Sequence, residues 1–276
     1  MNFIPRRENM GNYLIIGGSG VMGTAAIKAV RKKFGNDAVI TANWFGKEDQ
    51  KLVIEGANHT VYGDITSDSC LDEIKKVGGE EYDYLFYATA LGEVGFSIRE
   101  STPEQIKHSN RLSFEPLPVL EEKFQIKTIV AYSTFYLLRH QIYSYGAMGY
   151  SKEAIEKWIL KKGKSHRTCI RAGLFFSHSS RAIKLLLRKN AKGIKKENNP
   201  LLSSYFEDVA TSVGIKKFEE GIMQEERDTY GDSPTDVEAL YMSHLKLLET
   251  EKPVFINVCG KKIWESNEPL ILEGKI

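Results

Sequence analysis

Residues 13–23 read Tyr-Leu-Ile-Ile-Gly-Gly-Ser-Gly-Val-Met-Gly, and this stretch decides the fold. Its apolar start predicts a buried strand, and the helical pattern of residues 24–34 follows directly. Gly17, Gly20 and Gly23 are spaced by three residues in the turn between strand and helix. In this context glycines allow a tight turn, close backbone approach to a pyrophosphate and close helix–sheet packing.

The glycine turn therefore predicts a dinucleotide site at a helix N-terminus, where free amides and the helix dipole attract phosphate. The expected contacts are Gly17, Ser19, Gly20, Val21, Met22 and Gly23. An ordinary glycine-rich turn without a ligand is the alternative.

Short apolar runs alternate with longer amphipathic stretches along the chain, which is typical of a parallel sheet with crossover helices. The predicted strands are residues 13–16, 38–42, 59–62, 82–88, 127–133, 168–172 and 254–258. Seven such strands suit a doubly wound α/β sheet with helices on both faces. We also expect a helix from about Tyr145 to Lys162, and a helical substrate-binding insertion at about residues 174–233.

The chain has 276 residues and a formal net charge of +2. This length suits a single domain over residues 1–276, with residues 1–11 as an N-terminal extension. The charge lacks the basic excess of dedicated nucleic-acid binders. No signal-peptide pattern and no long apolar stretch occur, so a cytoplasmic protein without a membrane span is expected. The three cysteines and six histidines show no metal-ligand spacing.

The residues about 20 positions after the glycine turn bear on the choice of dinucleotide. An acidic residue there would bind the ribose hydroxyls of NAD, but Asn43, Trp44 and Phe45 stand at this point and Lys47 follows. This favours NADP(H) over NAD(H), with Asn43 and Lys47 as candidate contacts. A solvated loop lysine is the alternative for Lys47.

Further residues follow the order of a known family. Lys152 lies in a predicted helix, Asn110 in another, and Ser133 ends the fifth predicted strand. From Tyr13 to about Lys261 the chain resembles the short-chain dehydrogenase/reductases. The resemblance implies a Rossmann-type NAD(P)-binding domain, with Ser133 at the substrate oxygen, Lys152 as the catalytic lysine and Asn110 supporting a proton-relay water.

The resemblance also implies cofactor contacts beyond the glycine turn. It places Asp64 near the adenine, although a strand-end cap is an equal alternative for this residue. Residues 88–90 stand where the family has Asn-Asn-Ala-Gly, and Gly173 follows the sixth predicted strand near the nicotinamide. The expected contacts are Asp64, Ile65, Ala88, Thr89, Ala90, Lys152 and Gly173.

The family's tyrosine lies four residues before its lysine, and Met148 stands there instead. A thioether has no proton to donate. On a helix, positions 145, 148 and 152 share one stripe, whereas Tyr150 points away from Lys152. Tyr145 is therefore predicted to be the hydroxyl donor, with core or lid packing as its alternative role.

Residues 145–152, Tyr-Gly-Ala-Met-Gly-Tyr-Ser-Lys, are similar to the site of enoyl-acyl carrier protein reductases, where the tyrosine precedes the lysine by seven. This similarity implies hydride transfer to the β-carbon of an enoyl thioester. It places Tyr145 at the enolate oxygen and Lys152 at the nicotinamide ribose. A developing enolate needs a preorganised donor and a nearby cation.

Two other functions stay open. The glycine spacing also resembles the extended branch that modifies nucleotide sugars, some members of which carry methionine in place of the tyrosine. A cofactor-sensing module without catalysis is the third hypothesis, because Met148 and residues 88–90 both depart from the family pattern.

Several remaining residues concern the substrate and its surroundings. A basic run at residues 181–196 is either a solvated helix face or a capture site for an anionic carrier such as acyl carrier protein, coenzyme A or a sugar diphosphate. The candidate substrate contacts are Thr134, Met148 and Lys192. His140 is expected to be a surface histidine. The family resemblance implies a homodimer or homotetramer.

Overall fold

The computed structural model describes residues 11–45, 54–177, 184–185, 187–188, 199–250 and 253–275. The predicted N-terminal extension, apart from Gly11, lies outside the described residues. So do two predicted contacts, Lys47 at the cofactor and Lys192 at the substrate.

Eight strands within the described residues form one sheet. They are β1 (Asn12–Ile16), β2 (Val39–Trp44), β3 (His59–Tyr62), β4 (Glu81–Tyr87), β5 (Gln125–Thr134), β6 (His166–Ala172), β7 (Phe255–Cys259) and β8 (Lys262–Ser266). Their spatial order is β3-β2-β1-β4-β5-β6-β7-β8, with the first seven parallel and β8 antiparallel to β7. The predicted doubly wound sheet is confirmed, but its seven strands become eight.

The described helices pack on both faces of this sheet. They are α1 (Val21–Phe34), α2 (Asp68–Gly78), α3 (Pro103–Ser113), α4 (Pro116–Lys123), α5 (Arg139–Ile142), α6 (Met148–Ile159), α7 (Pro200–Ser204), α8 (Thr211–Tyr230) and α9 (Val237–Glu249). None of the helices in the described ranges is long and apolar enough to cross a membrane.

Strand β1 explains why the sheet is covered on both sides. Its five residues are all buried. Tyr13 and Ile15 belong to the core under α1 and α9, whereas Leu14 and Ile16 belong to the opposite core under α2 and α6. Successive side chains of a strand point to opposite faces, so a continuous apolar run requires a helical layer on each face.

Helix boundaries follow local chemistry in the segment before β5. Thr102 and Gln105 form a capping box at the start of α3, as their spacing indicates. Pro116 occupies the first turn of α4, where the missing N–H of proline has no cost.

Helix α6 begins at Met148 and ends at Ile159, so it is shorter at both ends than the predicted helix from Tyr145 to Lys162.

The eighth strand comes from a hairpin at the end of the sheet. Gly260 has a φ of 57°, which suits glycine, and the chain there reverses so that Cys259 pairs with Lys262. The exposed and half-exposed residues of β8 lack the apolar run by which the other strands were predicted. The hairpin places β8 beside β7 at one edge of the sheet.

The described part of the predicted insertion contains α7 and α8. Leu202, Ile215, Phe218 and Ile222 are buried together in a small cluster of their own, with Leu174 packed against it. Because Leu174 follows β6 closely, this cluster lies over the carboxyl end of that strand. The carboxyl ends of parallel strands share one edge, which is where ligands bind in open α/β sheets.

Candidate active site

The glycine turn brings the carboxyl ends of β1 and β4 into close contact. Gly17 has a φ of 79°, and a Cβ there would lie 2.6 Å from the Ala88 carbonyl oxygen. A Cβ on Gly23 would collide with the Gly17 carbonyl oxygen and the Gly18 Cα. Glycine is therefore required at both positions, once for backbone conformation and once for the close packing of α1 on the turn.

The N-terminus of α1 is open to a ligand. Ser19 and Gly20 are exposed, and no side chain caps the helix at Gly20. The first amides of a helix have no partner within it, so Val21, Met22 and Gly23 can offer theirs to an anion. Met22 is buried and turns its side chain into the core, which leaves its backbone as the group available to a ligand. These residues fit a pyrophosphate.

The structure does not support the predicted side-chain contact from Asn43. Its side chain is 1% exposed, and its amide donates to the carbonyl oxygens of Val61 and Gly63. The Asn43 carbonyl accepts from the Gly18 amide at 3.0 Å, so this residue supports the turn instead of facing a ribose. The exposed residue at the end of β2 is Phe45.

Asp64 acts as a cap in the structure. Its Oδ1 accepts from the Thr66 amide and hydroxyl at 2.9 and 2.8 Å, and Oδ2 pairs with Arg111 at 3.3 Å. Burial would raise the pKa of this carboxyl, but the bonds from Thr66 and Arg111 hold the pKa below its ordinary value. Ile65 is buried in the core. These contacts favour the capping alternative, and an adenine contact stays a prediction.

The loop after β4 is fixed by two buried serines of α3. Ser109 and Ser113 both donate to the Leu91 carbonyl, at 3.0 and 2.7 Å, and Ser113 also accepts from the Leu91 amide. This loop begins with Ala88, Thr89 and Ala90, beside the glycine turn. The predicted cofactor residues of the two segments are thus brought together.

Lys152 lies at the centre of the site. Its side chain is 7% exposed, and Nζ donates to the Tyr132 carbonyl of β5 at 3.0 Å. Burial lowers the pKa of this ammonium from 10.5 to about 8. Burial thus brings the pKa of Lys152 closer to neutral pH and still leaves the ammonium protonated at pH 7, and perturbed pKa values of this kind are typical of functional lysines.

Asn110 joins α3 to α6 next to this lysine. Its Oδ1 accepts from the Ser151 hydroxyl at 2.8 Å, and Ser151 is 2.8 Å from the Ser109 hydroxyl. Its carbonyl accepts from both the Phe114 and Glu115 amides, at the end of α3. Asn110 thus bonds to Ser151, which precedes Lys152 in the sequence, and its role at a relay water stays a prediction.

The structure turns Ser133 away from a substrate role. Its hydroxyl donates to Glu156 Oε1 at 2.6 Å, and Glu156 forms a buried pair with Arg171 through bonds of 2.9 and 2.7 Å. The predicted contact with a substrate oxygen is therefore not available in this conformation. Thr134 likewise donates to the Ala172 carbonyl at 2.8 Å.

The helical-stripe argument for Tyr145 is wrong, because α6 begins only at Met148. Tyr145 precedes the helix, pairs with Phe96 in an isolated β-bridge and packs with Ile98, Tyr136 and Leu272. It is half-buried, and burial raises its pKa.

Met148 faces the loop after β4. Its Cγ lies where a Cβ on Gly92 would collide with it. The methionine thus packs beneath this loop at the start of α6.

Gly173 continues β6 towards the insertion. Its amide donates to the Val258 carbonyl at 2.8 Å, and a Cβ would approach the Cys259 sulfur to 2.7 Å. The next amide, that of Leu174, donates to the buried carboxylate of Glu226 at 2.7 Å. Burial raises the pKa of Glu226.

His140 is not the surface residue that the sequence suggested, because its side chain is only 13% exposed. Its Nδ1 is 2.5 Å from Glu225 Oε2, and its Nε2 is 2.8 Å from the Tyr205 hydroxyl. Sequence reasoning missed this cluster because 85 residues separate His140 from Glu225. No short-range spacing signal could have joined the two.

No protein-family model and no curated protein match the sequence. Solved structures do match it. An enoyl-(acyl-carrier-protein) reductase from Anaplasma phagocytophilum, in complex with NAD, has a TM-score of 0.63 at 16% identity, with 91% of this chain and 93% of that one covered. A short chain dehydrogenase family protein from Francisella tularensis has a TM-score of 0.58 at 21% identity, with 88% and 92% covered.

The chain has the short-chain dehydrogenase/reductase fold. A short chain dehydrogenase from Shigella flexneri 2a, complexed with NADP, also matches, with a TM-score of 0.50 at 14% identity over 64% of this chain and 84% of that one. In this fold the glycine turn, the loop after β4 and Lys152 lie along one edge of the sheet, at the carboxyl ends of β1, β4 and β5. The positions predicted from the glycine turn and from Lys152 therefore share a single site.

Proposed function

We propose that the chain is an NAD(P)H-dependent oxidoreductase that reduces an activated double bond or carbonyl. The observation that carries this proposal is Lys152, a buried lysine with a pKa of about 8 at the edge of the sheet that holds the glycine turn. A capping or packing role would not require a buried cation there. The fold, and solved relatives of that fold complexed with NAD and NADP, support the same conclusion.

The proposed roles follow from the placement of the residues. The glycine turn and the first amides of α1 would hold the dinucleotide phosphates, and a bound nicotinamide would supply a hydride. Lys152 would donate to the ribose hydroxyls from its position on the Tyr132 carbonyl. Tyr145 would donate to the oxygen on which negative charge develops, and a fixed donor there lowers the barrier most.

The proposed substrate is an enoyl thioester. Tyr145 precedes Lys152 by seven residues, and the solved enoyl-(acyl-carrier-protein) reductase shares the fold over 91% of this chain. A thioester on acyl carrier protein or coenzyme A would bring an anionic carrier, which suits the basic run at residues 181–196. Lys47, and the absence of an acidic residue at positions 43–45, lead us to propose NADP(H) as the cofactor.

The test is oxidation of NADPH and NADH at 340 nm with three acceptors: an enoyl thioester, a 4-keto nucleotide sugar, and no acceptor. We expect turnover with the enoyl thioester and its loss in Lys152→Ala. Turnover with the nucleotide sugar alone would replace the substrate assignment. Tight dinucleotide binding without turnover on either would favour a cofactor sensor.

A further inference from the structure

We propose that Glu225, His140 and Tyr205 form a proton relay that supplies the substrate's proton in the reaction proposed above. This inference rests on the proposed function, since a hydride transfer to a double bond or carbonyl must be completed by a proton. Met148 cannot provide this proton, because a thioether has none to donate.

The order of the three groups matches that of an oriented acid–base chain. A carboxylate can only accept, so Glu225 Oε2 fixes the hydrogen of His140 on Nδ1, across 2.5 Å. Nε2 of the neutral ring then accepts from the Tyr205 hydroxyl, across 2.8 Å. In this arrangement Nε2 and the Tyr205 oxygen can exchange a proton across one hydrogen bond, as a general acid must to be recharged.

Hydrogen bonds from backbone amides place the relay at the edge of the sheet that carries the candidate site. Glu225 accepts from the amides of Arg139 and His140, which follow β5, at 2.5 and 2.9 Å. Its neighbour Glu226 accepts from the Leu174 amide, which follows β6. Helix α8 therefore contacts the segments that follow β5 and β6, and Lys152 bonds to β5.

His140 is also joined to the proposed oxyanion donor. The Tyr145 amide donates to the Gln141 carbonyl at 2.8 Å, and the Ser144 hydroxyl donates to the His140 carbonyl at 2.7 Å. One tight turn thus connects the backbone of His140 with that of Tyr145.

Gly221 makes room for the contact. A Cβ at this position would lie 2.7 Å from His140 Nε2 and would overlap the Tyr205 hydroxyl. Glycine inside a helix is destabilising relative to alanine, and here its missing Cβ leaves the space in which the phenol and the imidazole meet. The Phe218 ring, buried between them, packs at 5.7 Å from the His140 ring and 5.3 Å from the Tyr205 ring.

The proton balance is simple. In each cycle a proton from solvent first binds Nε2 of the neutral His140 ring, and Nε2–H then donates to the Tyr205 oxygen, so that the Tyr205 hydrogen turns to the substrate. When hydride reaches a substrate carbon, the Tyr205 O–H bond breaks and that proton bonds to the carbanion or alkoxide. The Nε2 proton then moves to the Tyr205 oxygen, which restores the neutral ring. Each turnover consumes one hydride and one proton. The charged and titratable groups at this imidazole are Glu225, Tyr205 and the adjacent Arg139.

The kinetic test compares Tyr205→Phe with Tyr143→Phe, a nearby tyrosine whose hydroxyl has no role in the relay. Loss of a general acid costs about 10²–10⁴ in rate, so kcat should fall by this factor in Tyr205→Phe only. Dinucleotide affinity and melting temperature of this variant should stay near the wild type. A wild-type kcat in Tyr205→Phe would overturn the relay.

A second measurement needs no substrate. Nitrogen-15 NMR of the whole protein should show His140 with its hydrogen on Nδ1, and Tyr205→Phe should shift the Nε2 resonance. Glu225→Leu should release the tautomer, because no acceptor then faces Nδ1–H. The other tautomer in the wild type would overturn the relay. Absence of turnover by the wild type would instead refute the proposed function, and the NMR result would still decide the relay.

Discussion

At the residue scale, burial of Lys152 lowers the stability of the folded state. Its ammonium donates to the Tyr132 carbonyl and is almost fully buried. Because its folded pKa of about 8 lies below the ordinary 10.5, the folded state binds this proton less tightly than the unfolded chain does. Lys152 therefore destabilises the folded state. This destabilisation is complete below pH 8 and disappears as the pH rises towards 10.5.

Lys152→Met should raise the melting temperature at pH 7 while abolishing reductase activity. The shift in pKa corresponds to roughly 3 kcal/mol, and the lost bond to Tyr132 offsets part of this gain. Thermal melts of both proteins between pH 7 and 10.5 would check the prediction. The advantage of the variant should shrink as pH rises, and an advantage that grew with pH would contradict it.

Tyr145 and Tyr150 provide a matched pair. Both pack against the cluster of Ile98, Tyr136 and Leu272, but only Tyr145 is proposed to donate to the substrate. Tyr145→Phe should lower kcat roughly tenfold to a thousandfold, the cost of one oxyanion donor, with little change in stability. Tyr150→Phe should keep wild-type kcat. Equal kinetics of the two variants would return Tyr145 to a packing role.

At the scale of elements, short-range sequence patterns predicted the helix and strand boundaries that depend on neighbouring residues. The apolar run before Gly17 and the glycine spacing predicted the first βα unit, and Thr102 with Gln105 predicted the start of α3. The start of α6 could not be derived in this way. A bridge between Phe96 and Tyr145 holds Tyr145 outside the helix, and no periodicity reveals a contact across 49 residues.

Strand alternation likewise gives the face of a side chain but not its partner. Asn43 and Ser133 stand next to the last residue of their strands at the predicted edge, yet Asn43 bonds to the carbonyls of Val61 and Gly63, and Ser133 bonds to Glu156. Their partners come from distant parts of the chain. Both residue types remain chemically suitable for a ligand, which is why the sequence favoured that role.

Two substitutions in the glycine turn distinguish an effect on packing from an effect on ligand binding. Gly20→Ala places a Cβ at 3.3 Å from the Gly17 carbonyl, so the fold should survive, whereas Gly23→Ala collides with backbone and should destabilise it. Both variants should bind dinucleotide more weakly. Thermal melts with and without NADPH would measure both effects. A Gly20→Ala protein as well stabilised by NADPH as the wild type would argue against phosphate at this helix terminus.

At the scale of the whole molecule, a buried ion pair joins β6, α6 and the C-terminal segment. Arg171 bonds to Glu156, to the Glu268 carbonyl at 2.7 Å and to Asn257 at 3.3 Å, while Glu156 also accepts from the Leu270 amide at 2.7 Å. The partners of this ion pair thus come from β7 and from the segment that follows β8. The network therefore locks the end of the chain against the helix that carries Lys152.

Glu156→Gln should destabilise the fold by about 3–5 kcal/mol, because it leaves the Arg171 charge buried without its counterion. Glu153→Gln is the control. Its carboxylate also accepts from a C-terminal amide, that of Leu272 at 2.7 Å, but its ion pair is with the half-exposed Lys157. Urea denaturation should show a small change for Glu153→Gln, and equal losses would contradict the argument.

The central claim is that a nicotinamide dinucleotide binds at the glycine turn beside Lys152. Fluorescence titration of the wild type and of Gly23→Val with NADPH and NADH tests it most directly. We predict saturable binding by the wild type, tighter for NADPH, and no binding by Gly23→Val, whose side chain would collide with Gly17. Failure of the wild type to bind either dinucleotide at millimolar concentration would contradict the account.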